Sequence, residues 1–215
     1  MTADKLTNRY TLAEEIFNSV THGIGTLLSI AAFVILVALA SVDGNAREIT
    51  SFSIYGFTLF FLYLSSTLYH SVFNEKAKQV LRVFDHISIF LLIAGSYTPI
   101  TLVSMRGTWG WTLFGIVWAL AVAGIILNVI SVEKMKHISL TLYILMGWLL
   151  IAAIKPMLLM IPRGLLIMLF IGGLMYTSGV IFYVSKRIPF HHGIWHLFVL
   201  AGSVIHYMGF VIYLA

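Results

Sequence analysis

Seven apolar runs follow one another along this chain with only short polar breaks between them, at about 18–40, 50–72, 82–104, 110–131, 138–160, 164–184 and 193–214. A helix of about 20 apolar residues spans the hydrocarbon core of a bilayer. The pattern therefore predicts an all-α, integral membrane bundle of seven transmembrane helices. The breaks, such as Asp43-Gly44-Asn45, Met105-Arg106-Gly107 and Ile161-Pro162-Arg163, are too short to hold a second domain. Of the 215 residues, 60% are hydrophobic and 10% charged, against about 25% charged in an ordinary soluble domain. A globular chain of this length has too little interior for so much apolar surface, so most of it must face lipid. Residues 1–17 read as a polar, amphipathic N-terminal segment unlike a cleavable signal peptide, and 18–215 as the transmembrane domain.

The net charge of +5 is scattered over short loops, which points to membrane orientation and not to nucleic acid. With the N-terminus inside, Lys5, Arg9, Lys76, Lys78, Arg82, Lys134, Lys136, Lys186 and Arg187 are cytoplasmic. Arg47, Arg106, Lys155 and Arg163 are then outside. Nine against four favours a cytoplasmic N-terminus and an external C-terminus. That is the reverse of G-protein-coupled receptors.

Polar residues inside such runs are the ones to examine. His192 and His196 are four apart at the start of the last run, so they stack on one helix face, a spacing suited to two imidazoles on one metal ion. With no cysteine in the chain, a metal ligand must be His, Asp or Glu, which suits zinc. In the predicted topology the second run ends near His70, and the third begins on the same side with Asp85 in its early turns. Three separate helices thus bring His or Asp to the cytoplasmic half of the membrane. Intramembrane carboxylates face the bundle interior, paired or bound to a cation. Asp85 could equally form an ion pair with Arg82. His70 could be a polar helix-end residue. Ser66, one turn before His70, could be a small packing residue.

Ser66-x-x-x-His70, then Asp85, then His192-x-x-x-His196, resemble the hemolysin III family, the bacterial branch of the PAQR (progestin and adipoQ receptor) group, distantly related to alkaline ceramidases. Glu15-x-x-Asn18-x-x-Thr21-His22 and Gly95-Ser96-Tyr97-Thr98-Pro99 are similar to further family signatures, and the resemblance runs over essentially the whole chain. It implies a zinc ion held by His70, His192 and His196, in a multi-pass protein of the bacterial cytoplasmic membrane. Asp85 would stand beside the ion, as a ligand or as partner of a bound water, with Ser66 in the same cavity. Catalytic roles for Asp85 as proton carrier and Ser66 as oxyanion donor follow, and the expected substrate is a lipid amide or ester. A lipid-sensing or membrane-homeostasis protein with structural zinc uses the same ligands, and the family name asserts cytolysis. Self-association into a homodimer is left open. Glu14, Glu15, Asn18 and His22 are expected near the site, as support for the ligands or as helix-cap and interface residues. His206 is too deep to share the ion and is expected to hydrogen-bond within the bundle. Pro99 is expected to interrupt the third helix.

Overall fold

A computed structural model describes residues 10–215, together forming an all-helical bundle with no strand among them. Lys5 and Arg9, and most of the predicted N-terminal segment, lie outside the described residues; the described remainder runs into the first helix. The helices are α1 (Leu12–Asp43), α2 (Ala46–Ser71), α3 (Glu75–Pro99), α4 (Gly107–Gly147), α5 (Ile154–Met160), α6 (Arg163–Val184) and α7 (His191–Tyr213). Short polar residues begin the first three. Thr11 and Glu14 form a capping box on α1, Asn45 and Glu48 another on α2, and Asn74 accepts from the Ala77 N–H of α3. Each supplies an acceptor to backbone N–H groups that have no partner inside the helix.

Among the described residues, six helical elements are long and apolar enough to cross a membrane. One of them, Gly107–Met160, is 54 residues long. At about 1.5 Å per residue a straight helix of that length would reach about 80 Å, far beyond a bilayer. It is not straight. Ser131 has extended backbone angles (φ −169°, ψ 104°). The chain doubles back there: Asn128 Nδ2 donates to Ser139 Oγ at 2.8 Å. Trp118, before the break, reaches Thr98 of α3, while Tyr143, after it, reaches the carbonyl of His86. The two arms therefore run in opposite directions beside α3. The sequence-predicted spans 110–131 and 138–160 both fall in this one folded element.

The remaining irregularities have local causes. Pro99 lacks an N–H, and the chain passes beyond it into wide π turns over Ile100–Met105. Beyond Gly147 the chain tightens into a 3-10 turn, Leu149–Ala153. The Tyr97 hydroxyl donates to the Met146 carbonyl at 2.7 Å and accepts from the Leu150 N–H at 3.1 Å. It satisfies backbone groups that lipid could not.

α1 packs against both α2 and α7, α2 against α3, α3 against α4, and α6 against α7. Aromatic side chains fill the centre: Phe52, Tyr55, Tyr63 and Phe210 are fully buried, with Tyr55 edge-on to Phe210 at 4.8 Å. The Tyr63 hydroxyl donates to Ser203 Oγ at 2.8 Å, joining α2 to α7. Much of the apolar surface points outward, as on Leu27, Val42 and Leu159.

Gly110 sits where a Cβ would lie 2.1 Å from the Thr101 carbonyl oxygen. Because the obstacle is backbone, Gly110→Ala is expected to destabilise the protein by about 1–3 kcal/mol. Gly115 has nothing within 4 Å of such a Cβ, and Gly115→Ala is expected to be neutral or slightly stabilising. Thermal unfolding of the two variants in detergent micelles measures the difference.

Candidate metal centre

His70 closes the last turn of α2, and His192 and His196 occupy the first turns of α7. The fold brings one nitrogen of each to within 4.8 Å of the others, and all three residues are buried. Their ring centroids are 5.2, 5.2 and 4.6 Å apart. His70 Nε2, His196 Nε2 and both ring nitrogens of His192 are buried without a hydrogen-bond partner. Buried polar atoms are nearly always paired, so a convergent group of orphaned imidazole nitrogens is what a metal centre leaves when only protein atoms are counted.

The opposite nitrogens explain how the rings are aimed. His70 Nδ1 lies 2.6 Å from Glu15 Oε2. A carboxylate only accepts, so Nδ1 carries the proton and Nε2 keeps a free lone pair. His196 Nδ1 lies 3.2 Å from the Asn18 carbonyl oxygen, which assigns its proton in the same way. Thr21 Oγ1 is 3.3 Å from that nitrogen and donates to the Phe17 and Asn18 carbonyls. His22 stacks on the His196 ring at 3.5 Å with 13° between planes. Glu15 is itself held by Lys78 Nζ, 2.5 Å from Oε1. Outer groups of this kind fix tautomer and ring orientation in metal centres.

Glu15, Asn18 and His22 share one face of α1, at steps of three and four residues. That face lies between α2 and α7 because Gly193 lets α7 come close: a Cβ there would meet Phe17 at 2.2 Å and Asn18 Oδ1 at 2.9 Å. Glu15, Asn18 and His22 were expected near the site. Thr21 entered only through a motif, and Lys78 only as an orientation charge. Tyr10, Trp195 and Tyr183 form a ring box around His192 at 4.9, 4.9 and 6.1 Å; only Trp195, three residues along the same helix, could have been found from spacing. Glu14 is occupied by capping α1 and by accepting the Phe190 N–H.

Asp85 and Ser66 are buried but stand outside the three-histidine group. Ser66 Oγ has no hydrogen-bond partner. Arg82 pairs with Glu133 at 2.5 Å, while the carboxylate of Asp85 lies 3.6 Å from His86 Nδ1. His86 Nδ1 donates to the Arg82 carbonyl and His191 Nδ1 to that of Phe182, so both rings are engaged by backbone. His206 bonds the Leu169 carbonyl inside the bundle.

Two cavities meet beside the cluster. One, of about 290 Å³, is almost wholly apolar and runs between α3, the later arm of the folded element, α6 and α7. The other, of about 480 Å³, is polar and is lined by His192 and the loop before α7. Asp85, Ile89, Tyr183 and Trp195 line both.

Fold and centre together define a multi-pass helical membrane protein with a buried three-histidine cluster able to hold a metal ion. The sequence model of a family described as haemolysin-III related matches residues 10–207. The chain is 48% identical over 194 residues to the hemolysin-3 homolog of Bacillus subtilis, covering 90% of this chain and 91% of that one. It is 45% identical over 200 residues to hemolysin-3 of Bacillus cereus, covering 93% and 91%. It is also 31% identical over 206 residues to the human monocyte to macrophage differentiation factor, covering 92% and 83%. The chain belongs to the hemolysin III family, and the human relative ties it to the PAQR group.

If Glu15 holds the His70 tautomer, Glu15→Gln is expected to weaken metal affinity about 10–100-fold. Competition against a chelating dye on the purified protein measures this. Unchanged affinity would show that Glu15 does not tune the centre.

Proposed function

We propose that the protein is a zinc-dependent hydrolase of a lipid amide or ester. On this reading seven crossings hold it in the bacterial cytoplasmic membrane, N-terminus inside and C-terminus outside. The observation that carries the chemistry is the convergence of orphaned imidazole nitrogens, with His192 on the wall of the polar cavity that joins an apolar one at Asp85. The seventh crossing comes from counting the two arms on either side of Ser131 separately. An odd number of crossings puts the termini on opposite faces, and the excess of basic residues chooses which.

His70, His192 and His196 would hold the ion, a ligand set that suits zinc. When bound, zinc with three neutral imidazoles acts as a Lewis acid that lowers the pKa of a water molecule toward about 7. The apolar cavity takes the acyl chain. Leu158 and Phe170 line it yet are also exposed on the outer surface, so it communicates with lipid. The Asp85 carboxylate accepts the proton of the attacking water as the water oxygen bonds to the acyl carbon. It returns that proton to the leaving nitrogen or oxygen as the C–N or C–O bond breaks, giving a carboxylic acid and an amine or alcohol. Ser66, buried and unpartnered, lines neither cavity; its hydroxyl serves as oxyanion donor only to a carbonyl that passes beyond the cavity wall.

His196→Ala is expected to lose both metal and hydrolysis. Asp85→Asn is expected to keep its metal, counted by elemental analysis, and to lose about 10²–10⁴ in rate. A second reading rests on the cluster tying α2 to α7: the metal pins the bundle, which then senses lipid without turnover. Full zinc occupancy with no hydrolysis of any amide or ester lipid would favour it. The Bacillus relatives carry the name hemolysin, but a bundle this apolar has no water-soluble stage. Lysis of red cells by purified protein, insensitive to chelator, would revive that role.

Topology has its own test, made simple by the absence of native cysteine. A cysteine placed at Thr2 or at Ala215 is offered an impermeant maleimide on spheroplasts. Labelling is expected at position 215 and not at position 2.

A further inference from the structure

The wall of the apolar cavity is not uniform along its length. Four of its hydroxyl side chains, Ser96, Tyr97, Tyr143 and Thr177, donate to the backbone carbonyls of Ile93, Met146, His86 and Gly173. Tyr176 lines the same cavity and has no such acceptor. Its hydroxyl lies 2.8 Å from Ser203 Oγ. Ser203 Oγ accepts from the Tyr63 hydroxyl, also at 2.8 Å. The other contact of that phenol, with the Val199 carbonyl at 3.5 Å, is at the outer limit for a hydrogen bond. The Ser203 hydrogen therefore goes to Tyr176 Oη, and the Tyr176 hydrogen is left over. Beside it stands an acceptor without a donor. His206, on the same cavity wall, packs edge-on to the Tyr176 ring at 5.4 Å. Its Nε2 donates to the Leu169 carbonyl at 3.1 Å, so Nδ1 keeps its lone pair, buried and unpartnered. Gly172 makes room for this ring, since a Cβ there would lie 2.2 Å from His206 Cδ2.

Polar groups inside a protein are nearly always paired, so a spare donor and a spare acceptor side by side need a partner from outside the chain. Tyr183 and Trp195 line both cavities where they join. Tyr176 is seven residues from Tyr183 on α6, and Ser203 is eight from Trp195 on α7. At the rise of an α-helix, the patch is about 10–12 Å from the junction. We infer that the ligand's tail carries a hydroxyl group part-way along its length, which accepts from Tyr176 and donates to His206. A hydroxyl does both with one oxygen, where a ketone or ether only accepts. This deepens the reading of the apolar cavity as the tail site and rests on it, but not on any cleavage. A wall of purely apolar groups would disfavour such a tail, because the hydroxyl gives up its water for nothing. A wall with unclaimed polar groups reverses that sign, since the plain tail then leaves them unpaired.

The test uses alkylglycerol ethers, which no hydrolase of esters or amides can cleave. Full-length protein in dodecyl maltoside micelles is loaded with a fluorescent alkylglycerol. Three unlabelled alkylglycerols of equal chain length then compete: one plain, one with a mid-chain hydroxyl and one with a hydroxyl at the chain end. Each affinity is corrected for that ether's partition into protein-free micelles. The mid-chain hydroxyl is expected to bind at least about tenfold tighter than either of the others. Tyr176→Phe and, separately, His206→Phe should each cut that preference severalfold. Equal affinity for the three ethers, or tighter binding of the plain one, overturns the inference, and this comparison needs no variant to fold. A preference that Tyr176→Phe leaves untouched overturns it as well. Failure of all three to displace the reporter overturns the tail site and the inference with it. Equal displacement by all three removes the hydroxyl alone and leaves the tail site standing.

Discussion

The hydrogen bond between Glu15 and His70 is the constraint on which the centre depends. A carboxylate is costly in a part-buried position unless it is shared, and Glu15 is shared between an imidazole of α2 and the ammonium of Lys78 on α3. That one side chain ties three helices together, fixes which nitrogen of His70 is free, and offsets a cation that would otherwise be poorly solvated. The Asn18 carbonyl does the same for His196 of α7. Neither contact belongs to a ligand, yet both decide where the ligand nitrogens point. α1 therefore positions a centre to which it contributes none of the three histidines.

Apolar helices and their approximate ends were legible in the sequence, because a span of lipid-facing residues has few alternative structures. The break at Ser131 was legible only as a polar interval around Glu133 to Lys136; that it leaves one helix folded on itself, stitched by Asn128 and Ser139, needed coordinates. His192 and His196 could be paired from their spacing, since a helix of known period fixes their relation. His70 could not be joined to them by spacing at all. Its place came from depth and from the family resemblance, and the structure puts it in the same cluster. The alternative partner for Asp85 was decided by tertiary contact, because Arg82 reaches across to Glu133 in another element. The aromatic walls that Tyr10 and Tyr183 give His192 were out of reach for the same reason, because Tyr10 precedes α1 and Tyr183 is on α6; Trp195, three residues along α7, follows from helical spacing.

The two cavities give the centre an asymmetric setting. On one side the walls are aliphatic and aromatic, and the cavity communicates with the surrounding lipid. On the other they are charged. Asp85, at the junction, is the one carboxylate among the described residues that lines both cavities. Its carboxylate thus stands where charged and apolar walls meet, and charge interactions among apolar walls are stronger than in solvent.

The order of the helices along the chain has a consequence for biogenesis. The groups that orient the imidazoles sit on α1, and two of the three histidines sit on α7, made after it. Gly193, which lets those helices touch, is translated after nearly all of the bundle has been inserted. The three-histidine cluster is therefore complete only once α7 is in place; until then Glu15 and His70 have nothing to complete them. Quality control in the membrane could read that incompleteness directly, as a charged helix face still waiting for its cover.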